Sequence, residues 1–140
     1  SESRLYTFSP DTLERLENFR LTTSRKTVPQ AIIYIIDKKT LEIRPEDIES
    51  EFYTTLEALS SDLPDFAPRF ILLSYPIKLD PDRESTPYVL IYYMPETNPE
   101  LKMLYAGAKE LFRNTAQVNK VVDVKDRGDI VNVAEVLRKD

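Results

Sequence analysis

Two hydrophobic periods alternate along this chain, and each change of period marks an element. Residues 31–36 are a continuous, β-branched apolar run, the pattern of a strand buried on both faces. Residues 69–75 and 88–93 read the same way, and 118–124 is a further strand. A polar turn at 37–40 leads into another strand at 41–44, while the polar stretch 78–87 reads as a hairpin loop. Helical spacing appears four times. Ser9 caps a first helix that has Pro10 at its first position, ends near Thr22, and takes its apolar face from Leu13, Leu16, Phe19 and Leu5. A short helix covers 52–60 with Leu56 and Leu59 inward, a long one runs over 100–117, and a closing one spans 129–139 with Ile130, Val133, Ala134 and Leu137 on one side. Strands buried on both faces need cover on both faces. The pattern therefore predicts one domain over residues 1–140, an α/β (α+β) sandwich with a mainly antiparallel sheet between helices.

The long helix says most about function. Leu101, Leu104, Tyr105, Ala108, Leu111, Phe112 and Thr115 follow i, i+3, i+4, i+7 and form an inward stripe. The opposite face carries Lys102, Met103, Ala106, Gly107, Lys109, Glu110 and Arg113. Met103 lies about 140° from the centre of the stripe, where a flexible, polarisable side chain suits an adaptable contact. Ala106 and Gly107 make a smooth patch one turn on. A helical glycine costs about 1 kcal/mol relative to alanine, so something should offset that cost, and close approach of another surface is one candidate. Two occupants fit: a partner's groove, or the protein's own N-terminal segment.

Composition narrows the chemistry. Cysteine and histidine are both absent, which removes thiol chemistry, the commonest general base and a common metal ligand. With only two glycines, a glycine-rich phosphate loop cannot be built, and no cofactor is expected. Net charge is −5, opposite to the basic footprint of a nucleic-acid binder. No apolar run approaches the length of a membrane span, and the start has no apolar core of a secretory signal, so a soluble intracellular protein is expected. The charge is uneven: residues 42–65 hold eight acids and one base, residues 20–26 three bases and no acid. Such polarity steers partners. Asp80 and Asp82 near Glu84 are the one arrangement that admits paired-carboxylate hydrolysis, against the alternative of a solvated hairpin tip.

Three stretches together resemble a known family. Lys102-Met103-Leu104-Tyr105-Ala106-Gly107-Ala108-Lys109 is similar to the long helix of the ADF/cofilin-homology (gelsolin/cofilin-like) domain, and its Tyr-Ala-Gly resembles the glia maturation factor branch. Pro68-Arg69-Phe70-Ile71-Leu72-Leu73-Ser74-Tyr75 and Asn18-Phe19-Arg20 resemble the same branch, as does the start Ser1-Glu2-Ser3. Cofilins usually carry a lysine cluster at the end of the long helix, where this chain has Phe112-Arg113-Asn114-Thr115.

The resemblance implies a five- to six-stranded mixed sheet sandwiched between helices, and no enzymatic activity. It implies binding to the actin-related protein 2/3 complex, chiefly actin-related protein 2, with debranching of actin filaments and inhibition of branched nucleation. Cofilin-like binding and severing of filaments is the alternative. A first, partner-binding surface would comprise Ser1, Ser3, Arg4, Lys102, Met103, Ala106, Gly107, Lys109 and Arg113, extended by Arg20, Arg25 and Lys26. A second, touching the first actin subunit of a daughter filament, would comprise Lys78, Asp82, Arg83, Glu84, Glu135, Arg138 and Lys139. Phosphate on Ser1 or Ser3 would add about −2 charge beside the first surface. A monomer is expected, in the cytoplasm at cortical actin structures, with a nuclear pool as a further expectation.

Overall fold

The computed structural model describes residues 5–49 and 51–139. Among these, strands β1 (Thr7–Phe8), β2 (Gln30–Ile36), β3 (Glu42–Pro45), β4 (Arg69–Ser74), β7 (Tyr88–Tyr93) and β8 (Lys120–Val124) form a six-stranded sheet in the order β1-β3-β2-β4-β7-β8. Strands β5 (Ile77–Asp80) and β6 (Arg83–Ser85) form a separate hairpin. The central pairings are antiparallel, whereas β1 with β3 and β7 with β8 are parallel. The sheet is thus mixed and six-stranded, as the family resemblance implies.

Alternation along each strand feeds two cores. Ile33, Ile71, Ile91 and Val122 stand opposite one another across four strands and share the face covered by helix α2 (Leu56–Asp62), a 3-10 helix (Arg127–Asn132) and α4 (Val133–Arg138). One residue along, Tyr34, Phe70 and Tyr92 point to the other face, under helices α1 (Pro10–Thr23) and α3 (Pro99–Ala116). Burial on both faces is what the unbroken apolar runs encode. The parallel pair β7–β8 requires a crossover, and α3 is that crossover.

Four expectations need correction. Residues 52–60 are not all helical: Thr55 caps α2 by accepting from the Ala58 N–H, and Tyr53 pairs with Ala31 as an isolated bridge. Residues 78–87 are not a plain loop but carry β5 and β6. The closing segment opens as a 3-10 helix, which Asp126 caps by accepting from the Gly128 N–H. Leu13 and Leu5 face outward, and Thr12 takes the inward place beside Leu16 and Phe19.

Candidate functional site

Local chemistry sets the ends of α3. The Asn98 side chain accepts from the Leu101 N–H, Pro99 follows at the first position, and Gln117 ends the helix in the left-handed region at φ 60°. Tertiary contacts fix its rotation. The Phe112 ring stacks on Phe70 with centroids 4.7 Å apart, and the Tyr105 hydroxyl accepts from the Ile36 N–H at 3.0 Å. Leu104, Ala108 and Ala116 complete the buried stripe, while Leu111 lies at its exposed rim. With that side locked, the opposite side is presented as a rigid face. Met103 is 64% exposed there, beside exposed Lys102, Ala106 and Glu110.

Gly107 is explained from within. The Tyr6 hydroxyl donates to the Leu104 carbonyl at 2.8 Å, and a Cβ on Gly107 would stand 2.6 Å from that hydroxyl oxygen. The chain's own N-terminal segment therefore makes the close approach that the glycine signals. Sequence reasoning missed Tyr6, since nothing in local spacing relates it to a helix 98 residues away. Strand β1 then continues beneath the helix, with the Phe8 ring 6.3 Å from Phe112.

The cations on the other flank are also held. Lys109 Nζ lies 3.3 Å from Asp123 Oδ1 and 4.4 Å from the centroid of the Tyr92 ring. Asp123 stands opposite Tyr92 in the sheet, which brings both to one lysine. Burial, with the nearby Asp123 carboxylate adding to it, pushes the Tyr92 hydroxyl up to about 12. Arg113 pairs with Glu110 at 3.6 Å and donates to the Asn119 carbonyl at 3.1 Å. Lys109 and Arg113 are thus positioned and partly neutralised. Ser1, Ser3 and Arg4 lie outside the described residues.

Arg20 and its neighbours do not extend this face together. Arg20 lines a hollow beside Ala116 and Gln117, at the C-terminal end of α3. Arg25 and Lys26 line a groove with Lys78 and Glu84 of the β5–β6 hairpin. The remaining second-surface residues are all exposed: Asp82 and Arg83 on the hairpin, and Glu135, Arg138 and Lys139 at the end of the chain. Asp80 is committed to its own turn. Its carboxylate accepts from Arg83 Nε at 2.8 Å and from the Asp82 N–H at 2.9 Å. Those bonds, the Arg83 guanidinium first, hold its pKa below the ordinary aspartate range, the reverse of what a general acid requires.

Comparison with known proteins fits this geometry. Residues 6–139 match the family described as "Cofilin/tropomyosin-type actin-binding protein". The chain belongs to that family. Protein AIM7 of Saccharomyces cerevisiae is 35% identical over 145 residues, covering 96% of this chain and 97% of the relative. Glia maturation factor beta of Homo sapiens is 35% identical over 122 residues, covering 86% and 82%. The solution structure of glia maturation factor from Caenorhabditis elegans superposes with a TM-score of 0.75 at 32% identity, over 92% of this chain and 91% of that one. These relatives place the chain in the glia maturation factor branch of the ADF/cofilin-homology family. Its role is actin-related regulation by binding, not catalysis, and the paired-carboxylate reading is set aside.

Proposed function

We propose that this protein binds the actin-related protein 2/3 complex, chiefly through actin-related protein 2, and so promotes debranching of actin filaments and inhibits branched nucleation. The observation that carries the reading is the outward face of α3. A buried aromatic lock on one side presents Met103 on the other, 64% exposed, on a helix long enough to enter a groove. A buried apolar anchor dominates affinity, while charges at the rim tune encounter and register. Lys102, with the pre-positioned Lys109 and Arg113, supplies such a rim. The second surface, on the hairpin and α4, would then touch the first actin subunit of the daughter filament and weaken the branch. The proposed location is the cytoplasm at cortical actin structures.

Paired binding of the purified protein to the complex and to actin filaments tests this. Binding to the complex without co-sedimentation with filaments is the expected result. Filament binding and shortening, with no affinity for the complex, would replace the proposal by a cofilin-like activity.

A further inference from the structure

Arg25 and Lys26 fall outside the α3 face and have a different setting. They lie just past the end of α1, in a turn closed by the Lys26 N–H donating to the Thr23 carbonyl at 3.1 Å. The opposite wall is the β5–β6 hairpin, whose base is closed by the Tyr75 N–H donating to the Pro87 carbonyl at 3.0 Å. Ile77, buried, forms part of the lining, along with Thr27 and Ser85. Lys78 and Glu84 stand opposite each other across the hairpin, so their charges offset. The unmatched charge of the groove is that of Arg25 and Lys26. Among the described residues, no acid forms an ion pair with either. In a chain of net charge −5, such a place is a local exception.

We infer that this groove is a docking site for an acidic, extended polypeptide segment, and that Arg25 and Lys26 belong to the second surface rather than the first. An acidic segment fits better than a compact phosphate for two reasons. The C-terminal end of α1 borders the groove through its cap residue Ser24, and the negative end of a helix dipole opposes concentrated anionic charge. Glu84 on the hairpin wall, its charge offset by Lys78, can meet a donor on a peptide. Dispersed carboxylates can bond the two cations while keeping clear of the helix end. That the segment belongs to the daughter-filament subunit rests on the proposed function above; the groove's preference for acidic peptide does not.

Two arms separate these claims. In the first, ¹⁵N-labelled protein is titrated with a short poly-aspartate peptide, and separately with inorganic phosphate at equal charge. Peptide-induced shifts at the amides of Thr27, Ile77 and Ser85 are expected, and the double variant Arg25→Glu/Lys26→Glu should abolish them. Absent shifts, or shifts with phosphate alone, overturn the groove whether or not the protein binds the complex. In the second arm the double variant should bind the complex within about twofold of wild type, yet debranch on the order of fivefold more slowly at low salt. Rising salt should narrow that gap, since exposed charges are screened. Unchanged debranching, or loss of affinity for the complex equal to that of Met103→Ala, overturns the assignment to the second surface.

Discussion

Replacing Gly107 by alanine tests the contact between the N-terminal segment and α3. The new Cβ would stand 2.6 Å from the Tyr6 hydroxyl oxygen but 3.6 and 3.8 Å from the nearest ring carbons. Only the hydroxyl is in the way. Two opposed effects follow. Alanine in a helix interior is favoured over glycine by about 1 kcal/mol. Displacing the hydroxyl gives up its bond to Leu104, worth about 1 kcal/mol. The wild-type background should therefore show a net change near zero. In a Tyr6→Phe background the hydroxyl is already gone and the ring carbons sit at ordinary contact distance. There Gly107→Ala should stabilise by the full amount, about 1 kcal/mol, or about 4 °C in Tm for a domain of this size. The four proteins of the cycle, unfolded by urea, should give a coupling of about 1 kcal/mol. Equal stabilisation by alanine in both backgrounds would falsify the Tyr6–Gly107 contact.

Three further outcomes are expected. Met103→Ala should weaken binding to the complex by more than about 1 kcal/mol, with Tm unchanged because the side chain touches mainly solvent; an unaltered dissociation constant removes Met103 from the interface. The Tyr34 hydroxyl is buried with no hydrogen-bond partner among the described residues, so Tyr34→Phe should stabilise by about 1 kcal/mol on urea unfolding, and a loss of stability would show that the hydroxyl is satisfied. The Asp80 carboxyl should titrate by NMR below the ordinary aspartate value and move back up in Arg83→Ala. Because its folded pKa is depressed, the stabilisation is present above the unfolded value and is lost as pH falls through the folded one; a midpoint unmoved by Arg83→Ala contradicts the assigned cause.

Much of this fold is written in local pattern. The runs 31–36 and 88–93 appear as β2 and β7 with almost no change of boundary, because a strand covered on both faces must be apolar at every position. Ser9 and Pro10 mark the start of α1 just as plainly, since capping is decided within one turn. Errors arose where tertiary contacts compete with weak local preference. Strand β1 is two residues long and exists only because Thr7 and Phe8 find β3 in parallel. Leu13 fits a helical stripe, but the packing of α1 turns Thr12 inward instead.

The candidate site divides along the same line. Sequence alone determined that α3 has a buried stripe and an outward face bearing Met103, because helical period fixes which residues share a side. Through Gly107 it also offered the close approach of another surface as one candidate for what offsets a helical glycine. What comes close is a matter of packing: Tyr6 arrives from the far end of the chain. Likewise the three bases of residues 20–26 are neighbours in sequence, yet α1 leaves Arg20 by the end of α3 and carries Arg25 and Lys26 to the hairpin. Periodicity reports which side of an element a residue lies on. What stands across from it depends on how distant segments are brought together, and that is settled by the packing of the whole domain.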